Sequence, residues 1–289
     1  MSNAFYQGLL PALLAATIAV VVSYFPRTKA THRHAVGLAF CGSFVIGYAF
    51  SPQSWSPILP QRHWQWFHVL ATLCLALGPL AFVRGVGWLE RGFAFLALSL
   101  VAAWLLTPTW NAIEPYRLWY VLYSMLGMAA LMLTLSSLAG NERHSQLFLF
   151  QLVCSAALVA IVIVWQSHSL KVSQIATIAA GALGGCWFAC WLRPHLSTSL
   201  AGALPAYATV VGGLAYVGAC FLPPNDRQIW GLLLIPAAPL ASVIARFAFA
   251  QRLAGWKSKL VGMLPFLLVL AAAMTWILIS EPAMVEQEW

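Results

Sequence analysis

From Gln146 to Gln166 no side chain carries a charge, and runs of this kind recur from one end of the chain to the other. A helix rises 1.5 Å per residue, so about 20 apolar residues cover the roughly 30 Å of a bilayer's hydrocarbon core. Soluble domains carry about a quarter charged residues. Here 8% of 289 residues are charged and 62% are hydrophobic, with a mean hydropathy of +0.83. The chain reads as an integral membrane protein. Backbone groups in lipid must be satisfied inside the protein, and barrel strands alternate in polarity where these runs do not. The expected fold class is therefore all-α, a polytopic membrane helix bundle.

About ten transmembrane helices are expected, near residues 5–25, 35–51, 64–83, 92–110, 118–139, 147–167, 173–193, 199–221, 229–246 and 260–279, in one integral membrane domain covering 1–289. The second is the shortest. The connections after alternate spans carry Arg27, Lys29, Arg33, Arg84, Arg91, Arg143, Arg193, Arg246, Arg252, Lys257 and Lys259, and the opposite connections carry only Arg62, Arg117, Lys171 and Arg227. Basic residues gather on the cytoplasmic side, which predicts both termini outside and, for a bacterial cell, the inner membrane. The first run has its basic residues after it, so a cleaved leader is not expected. The net charge of +8 then reports topology, and nucleic acid is not an expected partner. The bilayer is one, joined by a membrane-complex partner or further copies of the chain.

The short connections leave no room for a soluble domain, and no Walker or Rossmann pattern occurs, so ATP hydrolysis is not expected. The six cysteines, Cys41, Cys74, Cys154, Cys186, Cys190 and Cys220, all fall in the predicted spans and read as packing residues.

Outer connections repeat a theme. PQRHW (60–64) and PYRLW (115–119) share P-x-R-x-W, and PNDRQIW (224–230) stretches it. Arg62, Arg117, Lys171 and Arg227 recur at intervals of about 55 residues, the length of two spans and two loops. Proline suits a first helical turn, arginine snorkels to the headgroups and tryptophan sits at the interface, so the theme reads as an aromatic belt with cationic anchors. Arg62, His63, His68, Arg117 and His168 are the outer-face candidates. Two of the histidines, His68 and His168, could flank a haem, and His63 could add a metal ligand, against the plainer reading of interfacial histidines. The loop SPQSWSPILPQRH (51–63) is expected to lie on the interface or cover the bundle. Met125, Met128 and Met132 form a helical stripe, and Cys186 and Cys190 lie one turn apart. Both read as packing before copper or another metal. No metal, cofactor or catalytic residue is nominated.

All seven carboxylates, Glu90, Glu114, Glu142, Asp226, Glu281, Glu286 and Glu288, fall in predicted connections or the tail. Proton- and ion-coupled carriers place an ionisable group inside the membrane, so coupled transport is not expected. Small residues and prolines collect in the second half. Gly181 and Gly185 make a face for close helix contact, and Pro205, Pro236, Pro239 and Pro265 are expected to break or kink the last three spans. Carbonyls freed at such breaks build binding sites in transporters. Gln151, Tyr207, Tyr216, Pro236 and Pro239 are the substrate-binding candidates, for a neutral or amphipathic small molecule. Three functions stay open: a permease- or flippase-like transporter, a non-catalytic subunit or scaffold of a membrane complex, and an outer-face lipid-modifying or haem-bearing enzyme.

Overall fold

The computed structural model describes residues 8–24, 29–51, 60, 62–77, 88–110, 113–138, 145–167, 169–222, 228–249 and 256–279. Among the described residues every regular element is helical. The helices are α1 (Leu10–Tyr24), α2 (Lys29–Ala49), α3 (Phe67–Leu77, after a 3₁₀ turn at His63–Trp66), α4 (Trp88–Leu106), α5 (Arg117–Leu138), α6 (Ser145–Ser167) and α7 (Leu170–Leu192). A 3₁₀ segment, Pro194–Ala203, leads into α8 (Leu204–Cys220). The chain ends in α9 (Gln228–Leu234), α10 (Ala238–Phe249) and α11 (Trp256–Ile279).

Among the described residues six helices are long and apolar enough to cross a membrane: Leu89–Leu106, Glu114–Ser136, Gln146–Gln166, Leu170–Leu192, Gln228–Ala245 and Lys259–Ile279. Three further apolar helices are shorter, Leu10–Val22, Ala35–Ala49 and Leu204–Cys220. The outward surface is apolar. Leu118, Leu122 and Leu126 of α5, and Leu260, Leu264 and Leu268 of α11, are exposed, and a continuous apolar surface of this extent calls for lipid. Polar side chains go the other way: Ser43, Ser99, Gln151, Ser155, Thr209 and Ser242 are fully buried. Several bond back to carbonyls of their own helix, as Ser43 does to Ala39 at 2.6 Å and Thr209 to Pro205 at 2.8 Å. That satisfies a hydroxyl where no water reaches.

Without water between them, membrane helices are held by close packing, and small residues set the closest approaches here. α1 and α2 lie on α7. A Cβ at Gly181 would stand 2.5 Å from the carbonyl oxygen of Gly8, and one at Gly185 would overlap the carbonyl of Ala12. The predicted small-residue face is thus where α1 rests. Gly37 of α2 meets the backbone of Gly202 in the same way, 2.5 Å from its oxygen. α6 packs along α7, and Ser173 donates to the carbonyl of Ala160 at 3.0 Å across the pair.

α8 occupies the centre and is buried along nearly its whole length. It is α-helical to Tyr207, a π-helix from Ala208 to Gly212, and α-helical again from Gly213. α9 and α10 are separated by a 3₁₀ turn at Ile235–Ala237, where Pro236 removes a backbone donor. Pro265, by contrast, lies inside the unbroken helix α11. The expected discontinuities are therefore found in α8 and between α9 and α10. Glu90 falls within the first turn of α4 instead of the connection before it, where an acid suits the positive end of the helix dipole. Met128, Met132, Cys186 and Cys190 are core residues, and among the described residues no three histidine, cysteine or carboxylate side chains gather as a metal set.

Candidate functional site

Two openings share a wall. The first is a recess of about 490 Å³, lined by Arg62, Arg117 and Lys171 together with tryptophans and a histidine. The second is an apolar groove of about 930 Å³ between α5, α8 and the α9–α10 break.

Each cation of the recess is placed by its own local turn. The backbone N–H of Arg62 donates to Oε1 of the buried Gln65 at 3.0 Å, which closes the 3₁₀ turn before α3. A turn in which Ile113 and Glu114 both donate to the carbonyl of Trp110, at 2.9 Å each, leads through Pro115 to Arg117 at the start of α5. Lys171 is the second residue of α7. The Arg117 guanidinium lies 4.7 Å over the Trp104 ring and the Lys171 ammonium 5.6 Å from the Trp64 ring, so the rings hold the cations by their negative faces. Among the described residues no carboxylate lines the recess. Arg117 Nε is buried and has no hydrogen-bond partner among the described residues.

His63 forms part of the floor. Its ring meets Trp110 edge-on at 5.2 Å, and Trp110 in turn packs on Phe221 at 4.8 Å. Its Nε2 is buried and has no hydrogen-bond partner among the described residues. Burial and then the Arg62 charge push its pKa down to about 4 from the ordinary 6.5. The folded protein therefore binds this proton less readily than the unfolded chain between those values, and stability is lost as pH falls through that window. Thermal melts in detergent at pH 7 and at about pH 5 should show this loss, and His63→Gln should reduce it. His68 lies one helical turn further on, stacked on Tyr48 at 4.9 Å, and does not line the recess. His168, Arg227 and residues 52–59 and 61 of the 51–63 loop lie outside the described residues.

The groove follows from the two helix discontinuities. Gly213 has no room for a Cβ, with Leu106 at 2.7 Å and Phe67 at 3.1 Å, so α8 seats against α3 and α4 on that side. Its neighbour Gly212, the last residue of the π-helix, lines the groove on the other. A π-turn inserts a residue into an α-helix and is frequent at functional sites. Gly127, Met128 and Leu131 of α5 form the facing wall, Pro236 and Leu240 the third side, with Trp119 and Trp230 at one end.

The five substrate-binding candidates divide. Tyr216 and Pro236 line the groove. Gln151, Tyr207 and Pro239 are buried and internally bonded instead. Tyr207 donates to the carbonyl of Pro236 at 3.1 Å, which caps the break between α9 and α10. Gln151 donates to the carbonyl of Gly262 at 3.1 Å and accepts from Ser242 at 2.7 Å, while Ser242 also contacts the Pro239 carbonyl at 2.9 Å. These are cross-links between α6, α10 and α11. Gln151 and Tyr207 do not share the groove with Tyr216.

Tyr216 joins the two openings. Thr107, a recess residue, donates to the carbonyl of Ala103 at 2.6 Å, so its hydroxyl accepts the proton of Tyr216 at 2.8 Å. A hydrogen-bonded pair thus stands between a cationic recess and an apolar groove. Lys171 was legible only through the interval it shares with Arg62 and Arg117, and all three converge. No protein-family model, no curated protein and no solved structure matches the chain.

Proposed function

We propose that the chain is a flippase-like transporter of an amphipathic small molecule. The observation that carries the reading is the apolar groove at the π-turn of α8 and the α9–α10 break, next to a polar recess. Apolar walls take a hydrocarbon portion at little desolvation cost, and a polar portion has the recess beside it. Discontinuous helices also form the substrate sites of many secondary transporters. Glu90 and Glu114 are exposed and line neither opening, which fits movement down a gradient without ion coupling. In this reading the chain crosses a bacterial inner membrane about ten times, as a single domain with both termini outside. The recess then opens on the outer side among belt tryptophans.

Native mass spectrometry after mild detergent extraction separates this from the subunit reading. The expected spectrum shows the 31.5 kDa chain, alone or as a homo-oligomer, carrying a lipid-sized ligand. A stoichiometric second polypeptide, with no small molecule retained, would instead make the chain a component of a complex.

A further inference from the structure

We infer that the recess of Arg62, Arg117 and Lys171 binds an oxyanion, the phosphate or carboxylate group of the molecule whose apolar part lies in the groove. The inference rests on the amphiphile reading and names the charge of the substrate.

Three elements distant in sequence bring one cation each to one recess of about 490 Å³. Like charges that line one opening repel, and the partly buried Arg117 is screened from the exposed Arg62 and Lys171 less than exposed charges are from one another. Among the described residues no acid in the lining relieves it. The backbone adds to the effect, since Arg117 opens α5 and Lys171 stands in the first turn of α7. Helix N-termini are already positive, and basic residues are disfavoured there. The tryptophans Trp64 and Trp104, which line the recess themselves, hold two of the cations in place. That contact orients the charges without neutralising them. An arrangement unfavourable in itself becomes favourable once an anion enters. Guanidinium groups bind phosphate and carboxylate oxygens through paired N–H donors, and the buried Arg117 Nε has no partner among the described residues.

The neighbouring groove identifies the remainder of the ligand. Thr107 and Tyr216 share a hydrogen bond across the wall, and Arg117 in the recess precedes Trp119 and Tyr120 in the groove by less than one helical turn. One molecule with an anionic head and a hydrocarbon body would engage both.

The test uses the full chain in neutral detergent and two phospholipids with identical chains, phosphatidylglycerol and phosphatidylcholine, with binding followed by native mass spectrometry. Phosphatidylglycerol should bind about tenfold more tightly than phosphatidylcholine, and R117Q and K171Q should each remove about that factor. Should the partly buried Arg117 be needed for folding, R62Q alters an exposed side chain and carries the same expectation. Displacement of phosphatidylglycerol by inorganic phosphate would show that the recess accepts a free oxyanion. Failure of phosphate to compete, with the charge preference intact, would show that head and chains bind as one unit. Equal binding of the two lipids, or a preference that survives the charge variants, overturns the inference. In that case the amphiphile reading still stands if Gly127→Phe, which fills the groove, abolishes binding of both. If neither lipid binds the wild-type chain, the amphiphile reading falls as well.

Discussion

Gly185→Val should remove most of the folded protein from a detergent extract. The added side chain would begin inside the backbone of Ala12, whose carbonyl carbon and Cα lie 2.8 and 2.9 Å from the Cβ position. Backbone atoms cannot rotate aside as a flexible side chain does. One turn earlier Gly181 meets the backbone of Gly8 at 2.5 Å, so α1 has no room to slide along α7. Overpacking of this kind costs about 3 kcal/mol, a large part of the margin that a small protein holds. Gly184 supplies the control. A Cβ there meets nothing within 4 Å, so Gly184→Val should elute and melt like the wild type. Size-exclusion profiles and thermal melts of the two variants test the contact. A Gly185→Val protein that melts with the wild type would mean that α1 does not rest on this face.

Gly127→Phe should do the reverse, leaving stability intact while stopping movement of the substrate. Gly127 lines the groove from α5, and a Cβ there also meets nothing within 4 Å. The backbone is not strained by a side chain, and phenylalanine is a better helix former than glycine. Its ring would project between α5 and the π-turn of α8, where the hydrocarbon portion is proposed to pass. A loss of about tenfold or more in transport is expected, from the apolar contact that the substrate forfeits, with unchanged melting. Equal transport by the variant and the wild type would move the substrate path out of the groove.

Among the described residues, six of the expected runs are found as helices long and apolar enough to cross a membrane, because an uncharged run of that length has few other uses. Their partners were not legible. A helix that is apolar on every side has no stripe to indicate its inner face, so nothing in the run containing Gln151 shows that it meets α11. The small residues are the exception. Gly181 and Gly185 mark a face without polarity, through size alone, and α1 is found on it.

The candidate site was half visible for a related reason. A polar side chain in an apolar helix either lines a cavity or satisfies a neighbour's backbone, and both leave the same letter in the sequence. Tyr216 does the first, while Tyr207 and Gln151 do the second. The break at Pro236 follows from its missing donor. The π-turn at Ala208–Gly212 contains no proline to mark it in the same way. In the sequence alone the P-x-R-x-W cations have the form of anchors for the lipid interface. The interval they share with Lys171 carries no information on distance, and only the fold brings the turn before α3 and the first turns of α5 and α7 to one recess.

The most direct measurement is lipid movement in proteoliposomes. Vesicles containing the purified chain and a fluorescent phosphatidylglycerol in both leaflets would be exposed to a reductant that cannot cross the membrane. The expected result is loss of fluorescence beyond the outer-leaflet fraction for the wild-type chain, and loss of that fraction only for Gly127→Phe. Wild-type vesicles that retain the inner-leaflet signal as fully as protein-free vesicles would contradict a flippase-like function.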